Sequence, residues 1–238
     1  SSNLAIVEKT EGNYARAASL YEEALAIERL VGNRRGLVTR LNNLGNLHRV
    51  QHDPAAALRC FEEGLQLAQA TGLAAPAVFL LVNLALTTLE LGDLDRCAHY
   101  ARLGLDQARS HGEPQIEVMA WLAMARLAIA RREYASADEC TFEALVRAQA
   151  TSYTLCELEA INVRAEALAA RGDGAQAAAL WCVVAGHPLS SADSRAGAEL
   201  GLARLTLTRE EEQTAQLAAR NAPFEAVVDD VVRRLRPH

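Results

Sequence analysis

A turn pattern that recurs every 40 residues constrains this chain of 238 residues more than any other feature of its sequence. No copy of the pattern is displaced by a single position. The five copies are Gly12-Asn13-Tyr14, His52-Asp53-Pro54, Gly92-Asp93-Leu94, Arg132-Glu133-Tyr134 and Gly172-Asp173-Gly174. Because a fixed period of about 20 to 50 residues is typical of repeat architectures, the chain is predicted to be a stack of similar units.

Each 40-residue unit is predicted to contain two helices. Before each turn, apolar residues recur three and four positions apart, as Leu37, Leu41 and Leu44 do, and this spacing is typical of a helix with one buried stripe. A small residue follows five positions after each turn begins, which lets two helix axes approach closely. The residues at this position are Ala17, Ala57, Cys97, Ala137 and Ala177.

The turn residues indicate where one helix ends and the next begins. A side-chain oxygen at the middle turn position accepts hydrogen bonds from the free amides of the next helix. The caps expected on this basis are Asn13, Asp53, Asp93 and Asp173, and Glu133 is the weak member of the set. Glycines are expected to end the second helices, because glycine tolerates the left-handed backbone of a helix stop. These glycines are Gly32, Gly72 and Gly112.

The repeat pattern fails after position 185, so the two ends of the chain differ. Residues 1–186 are predicted to form five helix pairs, the first truncated at its N-terminus as in a fragment of a longer protein. Residues 187–238 are predicted to be C-terminal capping helices, with a capping box at Thr208 and Glu211 and a last helix from about Pro223 to Leu235. The predicted fold class is an all-α, right-handed α-solenoid of helix-turn-helix repeats.

The unit resembles the tetratricopeptide repeat in its order of large, small and aromatic positions. The residues that carry this resemblance are Leu41, Leu44, Gly45, His48, Ala57, Phe61 and Gly64. The resemblance covers about residues 4–186, although the unit has 40 residues instead of about 34, and His48 stands where an aromatic residue is usual. The longer helices and the tail from Leu180 to Ser191 resemble the C-terminal sensor arm of bacterial signal-transduction ATPases with numerous domains, of the maltose-regulator type.

This resemblance implies a non-catalytic module that binds a protein or ligand, as the sensor or protein-interaction arm of a larger bacterial signalling ATPase or transcription regulator. In such proteins a nucleotide-binding domain lies N-terminal to the repeats, and that domain of the parent chain is an implied partner. The 238 residues contain no G-x-x-x-x-G-K-[ST] phosphate loop, so the role that the resemblance carries over is that of an arm. The alternative function is a structural scaffold that self-associates through an apolar concave wall.

A second stripe on the first helices is predicted to face the inner, concave wall of the array. Its members lie three, seven and ten positions apart, which keeps each set on one helix face. The predicted partner-binding groove consists of Thr39, Asn42, Asn46, Arg49, Phe79, Val82, Leu86, Leu89, Met119, Leu122, Arg126, Ile129, Glu159, Asn162 and Glu166. The two middle sets are largely apolar, and an exposed patch of this kind is typical of a binding site.

Two interpretations of this stripe stay open. In the first, the groove is accessible, and its apolar centre and polar ends fit a peptide, a protein or a small effector. In the second, a tight superhelix buries its own wall, so that Phe79, Leu86 and Met119 belong to the core.

Composition argues against several other classes of protein. With 24 Lys and Arg against 30 Asp and Glu, the net charge is −6, and no basic field is available to attract nucleic acid. The apolar runs are too short to span a bilayer, so no membrane partner is expected. Five cysteines without a C-x-x-C spacing fit a reducing cytoplasm, which is the predicted location.

The chain is predicted not to be an enzyme, with no catalytic residue, no metal site and no cofactor. His48 and His52 have the spacing of metal ligands, but His48 falls on a packing position and His52 falls in a turn, and zinc needs three or four ligands. Cys97 and His99 lie two positions apart on a helix, so their side chains diverge and cannot act as a nucleophile and base.

Overall fold

The computed structural model describes residues 14–236, and within that range it contains twelve helices and no strand. The helices are α1 (Tyr14–Val31), α2 (Arg34–Val50), α3 (Pro54–Ala70), α4 (Ala74–Glu90), α5 (Leu94–His111), α6 (Pro114–Ala130), α7 (Tyr134–Ala150), α8 (Thr154–Arg171), α9 (Gly174–Gly186), α10 (Ala192–Arg204), α11 (Arg209–Asn221) and α12 (Phe224–Leu235). The predicted all-α fold, a tetratricopeptide-like solenoid with C-terminal helices, is therefore confirmed. None of the twelve described helices has an apolar stretch that could cross a lipid bilayer.

The helices keep the 40-residue step that the sequence predicts. The second helices α3, α5, α7 and α9 begin 40 residues apart, and so do the first helices α2, α4, α6 and α8. The predicted helix stops Gly32, Gly72 and Gly112 have φ angles of +69°, +67° and +65°, in the left-handed region that glycine adopts without a steric penalty. The first turn, including Asn13, lies outside the described residues.

The helix caps follow the predictions at two of the described turns. The carboxylates of Asp53 and Asp93 accept hydrogen bonds from the backbone amides three residues later, at 2.9 and 3.1 Å. The prediction is wrong for Asp173, because its carboxylate accepts a hydrogen bond of 3.1 Å from Nε of Arg171 and caps no amide. Glu133, the weak member of the set, also caps no amide with its side chain.

The chain divides into two compact units, Ser1–Ile116 and Glu117–His238, which we call the N-terminal and the C-terminal unit. In the N-terminal unit, consecutive helices pack against each other from α1 to α5. Ala57 and Phe61 are fully buried at the small and large positions of the repeat. A Cβ atom added at Gly45 would lie 2.4 Å from the Phe61 ring, so this close helix contact requires a glycine.

In the C-terminal unit, the last helices cover the final repeat. Helix α9 packs against α8, α10 and α11, and α12 returns to pack against α7 and α8. Val228 and Val231 of α12 lie in the same hydrophobic cluster as Trp181 of α9. The predicted capping box begins α11, because the Glu211 carboxylate accepts a hydrogen bond of 2.7 Å from the backbone amide of Thr208. The predicted last helix is α12.

Candidate partner-binding site

Two first helices of the N-terminal unit, α2 and α4, lie side by side and carry the first predicted binding residues. Nδ2 of Asn83 donates a hydrogen bond of 2.8 Å to Oδ1 of Asn42. Nearer the helix ends, Nε of Arg49 donates to the carboxylate of Glu90 at 3.1 Å. These two contacts join equivalent faces of consecutive repeats, because the bonded residues are separated by 41 positions in each case.

The accessible residues of this surface combine polar and apolar side chains. Thr39 is exposed, Asn42, Asn46 and Leu86 are half-buried, and the Phe79 side chain is 41% exposed. We call the surface formed by these five residues the α2–α4 wall. A side chain as large as that of phenylalanine is usually buried in a folded unit. Its exposure here is typical of a surface that binds a partner.

Other predicted residues of the N-terminal unit are less accessible to a partner. Val82 is 0% exposed and belongs to the core, so the expectation of an accessible stripe is wrong at this position. The reason is that Val82 faces α5, where a Cβ atom added at Gly104 would lie 3.5 Å from its side chain. Arg49 and Leu89 are half-buried, and Arg49 is already paired with Glu90.

The equivalent face of the C-terminal unit is occupied by a network of charges. Arg126 of α6 donates from Nη2 to Glu159 of α8 at 2.6 Å, and from Nε and Nη2 to Glu166 of α8 at 3.1 Å each. Glu159 also accepts a hydrogen bond of 2.7 Å from the Ser194 hydroxyl of α10. Arg126, Glu159 and Glu166, which are all predicted binding residues, therefore form ion pairs with each other within the unit.

The two carboxylates also control the protonation of Arg126. Burial acts to lower the pKa of Arg126, but the carboxylates of Glu166 and Glu159 outweigh this effect and hold the pKa above the ordinary arginine range. An arginine held by two carboxylates in a poorly solvated place keeps its charge at every accessible pH.

The remaining predicted residues of the C-terminal unit are divided between core and partial exposure. Leu122 is 2% exposed and lies in the hydrophobic cluster, and Asn162 is 4% exposed and accepts a hydrogen bond of 2.9 Å from the Trp181 indole. For these two residues the expectation of an accessible stripe is wrong. Leu122 packs within the hydrophobic cluster, and Asn162 is covered by Trp181 of α9 and by α10, where a Cβ atom added at Gly197 would lie 3.6 Å from its Nδ2 atom. Met119 and Ile129 are half-buried.

Sequence reasoning missed the partners of Arg126, although the repeat contains a signal for one of them. Arg126 and Glu166 are separated by 40 positions, so they occupy the same place on successive first helices. Opposite charges one full repeat apart therefore indicate an ion pair across the helix contact. No sequence signal of this kind points to Ser194, which reaches Glu159 from the C-terminal helices.

The side chains with catalytic or metal-binding chemistry are dispersed. Among residues 14–236, no three histidine, cysteine or acidic side chains are grouped closely enough to share a metal ion. Burial raises the pKa of Cys60, Cys140 and Cys156 to about 11 in each case, with smaller contributions from neighbouring glutamates. These three thiols therefore stay protonated at neutral pH and are weak nucleophiles.

A comparison with protein families identifies the family of the chain. The family described as the MalT-like TPR region matches residues 1–221 of the chain. The chain belongs to this family. The MalT-like TPR match includes the α2–α4 wall and ends with α11, so α12 lies beyond it. A comparison with curated proteins finds no match. Tetratricopeptide-type repeats are generally non-catalytic modules that mediate protein interactions.

Proposed function

We propose that this MalT-like TPR region is a non-catalytic binding arm, which senses a ligand or contacts a protein on behalf of a larger bacterial signalling ATPase or transcription regulator. In this proposal, residues 1–186 are the five helix pairs of the arm, and residues 187–238 are its cap. The arm acts in the cytoplasm and passes its bound state to a nucleotide-binding domain located N-terminally in the parent chain.

The single observation that carries the proposal is the α2–α4 wall. A 41% exposed Phe79 and a half-buried Leu86 lie on one helix, and the accessible amides of Asn42 and Asn46 lie on the neighbouring helix. Apolar side chains next to amides fit the apolar side of a peptide whose backbone needs hydrogen-bond partners. Covering Phe79 and Leu86 would remove apolar surface from water, which stabilises the bound state by roughly 25 cal/mol for each Å².

The preferred occupant is therefore a peptide segment of a partner protein, either an amphipathic helix or an extended strand. Its apolar side chains would cover Phe79 and Leu86, and its polar groups would reach the amides on α2. The charge network of the C-terminal unit supports this assignment to the N-terminal unit, because Arg126, Glu159 and Glu166 already bind each other.

The experiment is a selection of phage-displayed random peptides on the whole 238-residue chain, repeated with the double variant Phe79→Asp, Leu86→Asp. We expect enriched peptides to bind the wild type and to lose at least tenfold in affinity on the double variant. Helical circular dichroism must show that the variant keeps its fold, which is expected because both side chains are partly exposed.

Leu30→Asp is the matched control, because Leu30 is an exposed apolar residue of α1 that is not part of the wall. Peptides that bind all three proteins equally would contradict the proposal. Sedimentation velocity on the same proteins tests the scaffold alternative. If the wild type is a dimer and the double variant is a monomer, the wall binds a second copy of the chain. A small effector that binds the wall in place of peptides would compete with the enriched peptides for binding to the wild type.

A further inference from the structure

A cavity of about 350 Å³ lies within the C-terminal unit, between α8, α9, α11 and α12. Most of its lining is aliphatic, including Leu168 of α8, Leu180 and Val183 of α9, and Val227 and Val231 of α12. Small-molecule sites in proteins have volumes of about 300 to 1,000 Å³ and are mostly apolar with a few polar groups. The size and lining of this cavity are therefore those of a site for a compact ligand.

Arg164 is the arginine of α8 among the residues that line the cavity. Arg164 is 8% exposed, and its Nη1 atom donates a hydrogen bond to the Asp138 carboxylate. Its Nε and Nη2 atoms donate no hydrogen bond to any residue that the structure describes. Because a guanidinium group has five N–H donors, Arg164 retains donors for a further acceptor.

The charge of Arg164 is incompletely balanced. Asp138 is shared between Arg164 and Arg171, whose Nη1 atom lies 3.4 Å from the same carboxylate. Burial lowers the pKa of Arg164, and the nearby charge of Arg171 acts in the same direction. Asp138 and, to a smaller extent, Asp173 oppose these effects without cancelling them. A buried cation in this situation gains free energy when a second anion approaches it.

The other charged groups near the cavity do not remove this excess of positive charge. Asp230 lines the cavity, but its carboxylate is bound by both Arg233 and Arg234 at 2.6 and 2.7 Å. Arg171 is also paired with Asp173 at 3.1 Å. The chain of ion pairs that starts from the charged lining residues contains four guanidinium groups, of Arg164, Arg171, Arg233 and Arg234, and three carboxylates, of Asp138, Asp173 and Asp230. The uncompensated charge is a single positive one.

We propose that this cavity binds an organic monoanion, a small molecule with a compact apolar body and one oxyanion group that accepts hydrogen bonds from Arg164. The apolar body lies among the aliphatic side chains of α9 and α12. Such a ligand contacts α12 on one side and α8 and α9 on the other, so it tightens the packing of the last helix. This site is independent of the α2–α4 wall, and its test does not depend on the proposed function.

The probe is 8-anilinonaphthalene-1-sulfonate, an apolar body with one anionic group, titrated by fluorescence into the whole chain. Its neutral counterpart is N-phenyl-1-naphthylamine, which lacks the sulfonate. We expect the wild type to bind the sulfonate at least tenfold more tightly than the neutral amine, because a hydrogen bond to a charged group contributes about that factor. A cooperative circular dichroism melt shows that the probe reports a folded protein.

Two variants, each with a comparison variant, test the apolar space of the cavity and the role of Arg164. Ala179→Phe fills it from α9 and should reduce sulfonate binding at least tenfold. Ala175→Phe is the matched control, because Ala175 lies one turn earlier on α9 and does not line this cavity. Arg164→Gln should reduce sulfonate binding about tenfold and change binding of the neutral amine less than twofold, whereas Arg164→Lys should restore most of the sulfonate binding.

The proposal is overturned if the wild type does not bind the sulfonate at millimolar concentration. It is also overturned if Ala179→Phe and Ala175→Phe bind the sulfonate equally, because the probe would then lie on another surface. Equal losses of both probes in Arg164→Gln, with circular dichroism unchanged, would show an apolar cavity without an anion site.

Discussion

The first helices of the two units differ on their inner faces, although their turns keep one 40-residue step. At one equivalent position, the N-terminal unit has Asn46 and Leu86, which are half-buried, and the C-terminal unit has Arg126 and Glu166, which bind each other. The packing positions do not differ in this way. Those on the second helices, from Ala57 and Phe61 to Ala177 and Trp181, are buried in both units.

This difference shows which positions the repeat architecture controls. Positions between the two helices of a pair must be small or closely complementary, because a buried contact leaves no free volume. The position of Asn46, Leu86, Arg126 and Glu166 is only half-buried in every repeat, so it can be apolar, amide or charged without changing the helix register. The two units therefore differ at this position, although they share the same repeat step.

Replacing Arg126 with leucine copies the residue of the N-terminal unit into the equivalent place of the C-terminal unit. We expect Arg126→Leu to lower the free energy of unfolding by about 3 kcal/mol, because two carboxylates in a half-buried place lose their common partner. Chemical denaturation of the whole chain measures this effect.

The matched variant is Arg49→Leu, whose partner Glu90 has a side chain that is 41% exposed and can be solvated. We expect a loss of about 0.5 kcal/mol there. Adding Glu159→Gln and Glu166→Gln to Arg126→Leu should recover most of the stability. Equal losses in Arg126→Leu and Arg49→Leu would show that the two inner faces do not differ as described.

Close helix contacts in the two units can be compared through two glycines. Gly45→Ala should cost about 2 kcal/mol, because the new Cβ atom would lie 2.4 Å from the fully buried Phe61 ring. Gly201→Ala brings a Cβ atom to 2.6 Å from the Trp181 ring, but α10 buries only Ser194 and Ala198 and can shift more easily, so about 1 kcal/mol is expected. Thermal unfolding ranks the two variants. Gly186→Ala, with open space around its Cβ atom, serves as the control.

Non-glycine residues occupy a left-handed conformation at one turn of the N-terminal unit, at His52, and at two turns of the C-terminal unit, at Arg132 and Ser152. His52 and Arg132 have φ angles of 58° and 62°, where the equivalent turns have Gly92 and Gly172. Replacing Arg132 with glycine should raise the free energy of unfolding by about 0.5 kcal/mol, since the relieved strain exceeds the entropy that glycine adds to the unfolded chain. The same gain is expected for His52→Gly. A loss in either variant, measured by urea denaturation, would contradict this explanation of the turns.

The smallest expected effect concerns Glu157, which stands where the N-terminal unit has the buried Ala77. Burial raises the pKa of Glu157, and the charges of Glu225 and Asp229 on α12 raise it further. A carboxyl group whose pKa is raised by folding stabilises the folded state below its unfolded pKa, and this stability is lost as the pH rises through the folded pKa.

Glu157→Gln should therefore raise the melting temperature at pH 7 by about 1 °C and have no such effect near pH 4, where the carboxyl group is protonated. A variant that is stabilised equally at both pH values would show that the charge of Glu157 is not the cause.

Much of the fold could be predicted because it depends on local and periodic features. The spacing of Leu37, Leu41 and Leu44 predicts a helix, and the caps at Asp53 and Asp93 are formed by the chain three residues later. The cap at Asp173 failed because an arginine two residues away competes for the same carboxylate. Local sequence patterns do not show whether a carboxylate will bind a backbone amide or a nearby arginine.

The candidate site was harder to predict than the fold. All its residues lie on the first helices, as the periodicity indicates, but exposure within one stripe varies from fully buried Val82 to 41% exposed Phe79. The difference is due to the neighbouring helix, which covers one side of the stripe and leaves the other accessible. Helical spacing gives the angle between side chains on one helix and contains no information about what lies opposite.

The sequence by itself determined the number of residues in a repeat, the pairing of helices and the family, because these depend on the order of small, large and turn-forming residues. Only the tertiary structure decided that Arg126 is paired with Glu159 and Glu166, and that α12 returns to α7 and α8 and lines a cavity together with Arg164. The physical reason is distance along the chain. Burial and charge depend on side chains tens of residues apart, which become neighbours only after the helices pack.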